Sequence, residues 1–252
     1  MTTTPTADRV HRLVASRPST MPVRSPYAGR SGRGGATIHH TLAEAPVGGH
    51  AMLEAALAWQ LLRPAERANT GEGAGAAVPR HLPVVETRSE AVAARIARLL
   101  SGLAWAIVTP VETGPGRAPA VRVEVPRGLY HLVLRALANA WRDARRQFDP
   151  RHPNTEMDAE AAVALWRMGI LLSGLGNSHN MIYLHTGTSM VAEVLETAAR
   201  RLGLAPITDH SQSGPAVTLH HPGEVHWLLT EAEAGGAGTV RTRVSRPTRL
   251  LR

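Results

Sequence analysis

The chain has 252 residues, 43% of them hydrophobic, with no Cys and no Lys, so that all 28 basic residues are Arg against 20 acids and the formal net charge is +8. Such a length holds one large domain or two small ones, and the lack of Cys excludes disulfides, thiolate metal sites and cysteine nucleophiles. No apolar run reaches the ~18 residues of a membrane-spanning helix, and Met1 to Ser19 lack an apolar signal core, so a cytoplasmic protein without a membrane partner is expected.

The positive charge is confined to the ends. Residues 1–48 hold six Arg against Asp8 and Glu44, and residues 235–252 hold five Arg and no acid, whereas 49–234 carry 17 Arg against 18 acids. Both ends are rich in Gly, the first in Gly29-Arg-Ser-Gly-Arg-Gly-Gly35 and the second in Gly235-Gly-Ala-Gly238. This composition predicts a disordered Arg-rich N-terminal arm over 1–48 and a basic tail over 235–252, with Arg241, Arg243, Arg246 and Arg249 as phosphate contacts. Solvated tails have the same composition, and the N-terminal arm also suits a protein partner.

Between the arms the pattern is periodic. His50 to Leu62 reads as a helix through Met52, Leu53, Ala56 and Trp59. Leu82-Pro-Val-Val-Glu-Thr87 reads as a strand and leads through Arg88-Ser89 into a helix striped by Val92, Ile96, Leu99, Leu100 and Leu103. A strand over Trp105 to Val111 and a turn at Gly114-Pro-Gly116 precede the alternating strand Pro119-Ala-Val-Arg-Val-Glu-Val-Pro126, which proline stops. A short apolar helix begins at Leu129-Tyr-His-Leu-Val133, and helix continues to about Arg146.

The same order then returns. Ala159 to Leu175 is a helix with Val163, Trp166, Ile170 and Leu171, Met181 to Thr186 is a strand, and Thr188-Ser189 caps a helix of Val191, Val194, Leu195, Ala198 and Leu202. A strand over Ala205 to His210 is followed by Pro215-Ala-Val-Thr-Leu-His-His-Pro222 and the helix of Val225-His-Trp-Leu-Leu229. Shared Pro-Ala-Val strands, each closed by Pro, mark an internal duplication. The expected organisation is an α/β (α+β) two-lobed domain with pseudo-twofold symmetry and two small mixed sheets. Its first half spans 49–146, an extended linker with Asp149-Pro150 and His152-Pro153 spans 147–158, and the second half spans 159–234.

This organisation resembles the LAGLIDADG homing-endonuclease fold, and in particular its catalytically inert version in WhiA-type regulators of actinobacteria. The residues that carry the likeness are Trp166-Arg-Met-Gly-Ile-Leu-Leu-Ser-Gly-Leu-Gly176, whose Gly169, Ser173 and Gly174 permit close helix–helix approach, and the strand–helix pair 181–204 after it. The resemblance implies that the first helices of the halves pack on the dyad and that each half gives one sheet to a DNA-binding saddle. It also implies an acid at the end of each such helix for metal-dependent cleavage, and here the chain departs from it. The second helix ends Leu175-Gly-Asn-Ser178, and near the first only Glu66 is acidic, beyond Pro64. A WhiA-type regulator also has a C-terminal helix-turn-helix, where this sequence has an eighteen-residue basic tail.

On the saddle, outward residues of the Pro-Ala-Val strands are Arg122, Thr218 and His220, joined by His185, with Arg80 and Arg88 flanking the first strand and Glu86 and Glu124 opposing phosphate. Arg142, Arg145 and Arg146 form a further cluster that suits backbone contacts or a solvated helix face. The 13 His include His39-His40, His179, His210, His220-His221 and His226, but none has HExxH spacing, and P-loop and GxSxG motifs are absent. No metal site, cofactor or catalytic residue is assigned. The expected function is non-catalytic, sequence-specific binding of double-stranded DNA by a nucleoid-associated regulator of transcription or of a mobile element. The alternatives are a protein–protein adaptor and a metal-dependent endonuclease with unusual ligands.

Overall fold

The protein is described by a computed structural model covering residues 33–62, 79–111, 118–151, 158–175, 181–211 and 214–234. A helix α1 (Arg33–Glu44) opens it. The first half then runs α2 (Ala51–Leu61), β1 (His81–Thr87), α3 (Glu90–Leu100), β2 (Ile107–Val111), β3 (Ala120–Pro126) and α4 (Arg127–Gln147). The second runs α5 (Ala159–Leu172), β4 (Gly174–Leu175), β5 (Ile182–His185), α6 (Ser189–Arg201), β6 (Ile207–Ser211), β7 (Gly214–Leu219) and α7 (Pro222–Ala234).

The duplication is explicit in the sheets. The first has the order β1-β3-β2, and the second repeats it as β5-β7-β6 with β4 added outside β5. Every pairing is antiparallel, which corrects the expectation of mixed sheets. The reason lies in the helical crossover. It makes β1 parallel to β2, but the two are not neighbours, because the Pro-Ala-Val strand β3 turns back and fills the space between them. The same happens with β5, β6 and β7.

One face of each sheet lies under helices. Val85, Val123 and Val125 are buried with Val92, Ile96, Val133 and Leu137, and Leu184, Val217 and Leu219 with Val194, Leu195 and Leu228. Between the halves α2 packs against α5. Residues 53–58 of α2 and 161–171 of α5 are continuously buried, as helices enclosed on all sides must be. Gly169 permits close approach to a helix, as expected, and to the sheet as well. A Cβ there would meet Leu184 Cδ2 of β5 at 3.2 Å and Trp166 and Leu195 next, so the glycine seats α5 on its own sheet and α6.

The two predicted caps are in place, Ser89 and Thr188 accepting from the N–H groups of Val92 and Val191 at 3.3 and 3.4 Å, and Asp158 caps α5 in the same way, accepting from the Ala161 N–H at 3.1 Å. Other boundaries shift. Helix α5 stops at Leu172 rather than Leu175, because Ser173 turns extended and Gly174-Leu175 pair with Tyr183 and Ile182. Strand β2 begins at Ile107 rather than Trp105, which is 72% exposed. The arm was expected to be disordered through residue 48, yet α1 covers Arg33–Glu44, and Leu42, Ala43 and Ala45 are fully or nearly buried. The glycine and arginine content of the arm hid this short apolar pattern. The linker is likewise anchored at its ends, since Gln147 completes α4, Phe148 is buried and Asp158 caps α5.

Candidate nucleic-acid interface

The uncovered face of each sheet is centred on its middle strand. In the first, Arg122 of β3 lies between Glu86 of β1 and Thr109 of β2, and in the second Thr218 of β7 lies between Tyr183 of β5 and Ile207 of β6. Arg122 and Thr218, singled out from the alternation of the Pro-Ala-Val strands, thus hold equivalent central positions. Glu124 shares the outer face with Arg122 through its pairing with Pro83 and Ile107. Thr109, Tyr183 and Ile207 were not among the predicted site residues. Tyr183 between the buried Ile182 and Leu184 is the signal that points to them.

Arg122 is not an isolated cation. Its Nε donates to Glu86 Oε2 at 2.9 Å, and both side chains are about three-quarters buried, so the guanidinium is aimed by its cross-strand neighbour. His185 is also positioned. Its Nδ1 accepts from the N–H of Gly187 at 3.3 Å, which leaves the proton of the neutral ring on Nε2. The ring lies over Gly214, where a Cβ would come within 2.7 Å of its Cε1, and Gly214 has φ +105°. Asp209 shares this outer face through Ala216. The two outer faces therefore present hydrogen-bonding and apolar groups with acids balancing bases, rather than a basic surface.

The remaining predicted residues are dispersed. Arg80 and Arg88 are exposed beyond opposite ends of β1, roughly 25 Å apart at about 3.3 Å per residue. The Arg80 carbonyl accepts from Arg127 at 2.9 Å and so ties down the start of α4. His220 is exposed, one residue past the end of β7. Arg142, Arg145 and Arg146 sit on the exposed side of α4, whose Val133, Leu137, Trp141 and Ala144 are buried; since α4 covers the inner face of the first sheet, these arginines lie on the helical side, away from Arg122. Arg241, Arg243, Arg246 and Arg249 lie outside the described residues.

What fixes the two faces relative to each other is a buried charge cluster between the lobes. Glu54 of α2 accepts from Arg95 Nε at 2.8 Å and Nη2 at 3.0 Å, and from Arg167 Nη1 of α5 at 3.1 Å. Arg95 also donates to the carbonyls of Ala45 and Pro46, and Arg167 to that of Ala232 at 2.6 Å. All three side chains are at most 4% exposed. Burial pulls the Arg167 guanidinium below its ordinary range, the Glu54 carboxylate raises it, and Arg95 repels it. At the surface His50 and Asp158, the N-caps of α2 and α5, meet at 2.9 Å. Sequence reading passed over Glu54 and Arg167, although each interrupts an otherwise apolar helix, which is the signature of a buried, paired charge.

Among the described residues no helix is long and apolar enough to cross a membrane, and no three His, Asp or Glu are grouped as metal ligands. Neither α2, capped by Leu62, nor α5, capped by Ser173, ends on an acid.

No family model matches the sequence, and no curated protein matches it. The fold is matched by solved structures. The N-terminal LAGLIDADG domain of DUF199/WhiA aligns with a TM-score of 0.50 and 12% identity over 85% of this chain and 92% of its own length. Full-length DUF199/WhiA from Thermotoga maritima aligns with a TM-score of 0.50 and 12% identity over 81% of this chain, which spans 61% of that protein. The homing endonuclease I-DmoI in complex with DNA and Mn aligns with a TM-score of 0.47 and 11% identity over 74% of this chain and 98% of its own. The architecture is that of duplicated LAGLIDADG lobes.

Proposed function

We propose that this chain, with its two LAGLIDADG-like lobes, binds double-stranded DNA sequence-specifically on the outer faces of its sheets and does not cut it. The observation that carries the reading is that both sheets, in the same strand order, keep one face free of any described helix while α2 and α5 join the two halves through a buried ion cluster. A pair of twisted antiparallel sheets fits a groove, and Arg122, Thr109, Thr218 and His185 supply donors and acceptors for base edges. The phosphate contacts come from the arms, which hold eleven of the Arg residues against two acids. The reading of binding without cleavage is supported by the ends of α2 and α5 among the described residues, where Leu62 and Ser173 offer no carboxylate to a metal. A role in regulating transcription or a mobile element belongs to the same reading.

The comparison of Arg122→Ala with Arg246→Ala tests it. On a preferred duplex found by selection, the first substitution should weaken binding more than the second; equal losses would mean that charge alone holds the complex. A second reading, an adaptor that binds protein, is favoured by Tyr183 at 40%, Ile207 at 53% and Met181 at 40% exposure on and beside the second outer face. An apolar partner would bind there with little dependence on salt, the reverse of phosphate binding.

A further inference from the structure

A cleft of about 480 Å³ opens where the C-terminal end of α4 from one half meets the first turns of α6 from the other. Arg142, Arg145, Arg146 and Arg151 line it, together with Asp149 and Glu193. Asp149 Oδ1 already accepts from the Arg151 N–H at 2.9 Å. Arg142 Nη1 donates to the amide oxygen of Asn139 at 3.2 Å, and Arg146 faces Asp143 only at 3.8 Å on an exposed surface, a pair that does little to neutralise it. Four arginines against two acids thus line one concavity, an excess of positive charge beside the positive end of the α6 dipole.

We infer that this cleft binds a compact ligand with two or more adjoining phosphates, of the inorganic triphosphate or nucleoside triphosphate kind. Its volume lies in the range of small-ligand pockets, about 300–1,000 Å³. Planar guanidinium forks match phosphate oxygens in pairs, and several adjoining phosphates are needed to engage arginines spread over 142–151. The cleft opens on the helical side of the molecule, since α4 and α6 cover the inner faces of their sheets, which favours a small anion over a duplex lying on the outer faces. A ligand there bridges the two halves. The inference stands apart from the DNA reading, because it concerns neither the sheets nor the arms.

The test is calorimetric titration of the full chain at physiological salt with inorganic triphosphate, a nucleoside triphosphate and a nucleoside monophosphate. Saturable binding of a triphosphate, with the monophosphate at least tenfold weaker, is expected; tighter binding of the nucleoside form would identify a nucleotide, and equal binding an inorganic chain. The double substitution Arg142→Ala/Arg146→Ala should weaken it about tenfold or more, the scale of losing charge-assisted hydrogen bonds. The control Arg127→Ala/Arg135→Ala removes the same charge from exposed positions of α4 outside the cleft and should change it less than about twofold. No binding, or equal weakening by both doubles, overturns the inference. So does competition by duplex DNA with a matching loss of DNA affinity in the cleft variant, which would make the cleft part of a nucleic-acid path.

Discussion

Glu54 is the residue on which the joint between the lobes depends. One carboxylate serves two guanidinium groups from different halves, so its removal leaves both cations buried without their counterion. Glu54→Ala should therefore destabilise the fold by ~3–5 kcal/mol, measured by urea denaturation. A loss under ~1 kcal/mol would show that the cluster is not sealed from water. His39 of α1 gives a pH dependence. Burial holds its pKa below the ordinary value of about 6.5, so the unfolded chain takes up a proton before the folded one does. Its contribution is unperturbed above that value and stability falls as pH drops through about 6.5 toward the lowered pKa. His39→Leu should flatten this part of the stability profile between pH 7.5 and 5. An unchanged slope would assign the acid sensitivity to other groups.

At the scale of elements, most of what repeats was legible and most of what docks was not. The two Pro-Ala-Val strands stood out because alternation has a period of two and a second proline follows at the same spacing in each copy, Pro126 and Pro222. The caps at Ser89 and Thr188 were readable from one residue each, since a hydroxyl before an apolar stripe has few other uses. Strand direction was not readable, because a helix between two strands suggests parallel neighbours and nothing local reveals that a third strand enters between them. Helix α1 escaped because its burial depends on α3, α5 and α7, contacts distant in sequence. The candidate site was legible to the same degree: the outward places of Arg122 and Thr218 follow from alternation, whereas the pairing of Arg122 with Glu86 needs the register. The β6–β7 hairpin offers a direct test. Gly214 has φ +105° and carries the His185 ring on its open side, so Gly214→Ala adds both strain and a clash. A loss on the order of 1–3 kcal/mol is expected, with a shifted His185 imidazole resonance in NMR. A neutral substitution would mean that the hairpin adjusts freely.

Over the whole molecule, charge and shape are divided between parts. The body between the arms is nearly neutral, with balanced acids and bases on the sheet faces that the reading assigns to base recognition, while the excess arginines lie at the two ends. Affinity should then be steeply salt-dependent through the arms, and specificity should survive in a chain shortened by residues 1–30 and 235–252, at lower affinity. If the sheets contribute nothing, that shortened chain loses all binding. The most direct measurement is a fluorescence-anisotropy titration of the full chain with mixed duplex DNA at about 50 and 200 mM salt, with and without Mg²⁺, followed by electrophoresis of the DNA. Binding that weakens by ~10³-fold or more between the two salt concentrations, the scale for six to ten phosphate contacts, with the duplex intact in Mg²⁺, is the predicted result. No binding at low salt, or a duplex cut in the presence of Mg²⁺, would contradict it.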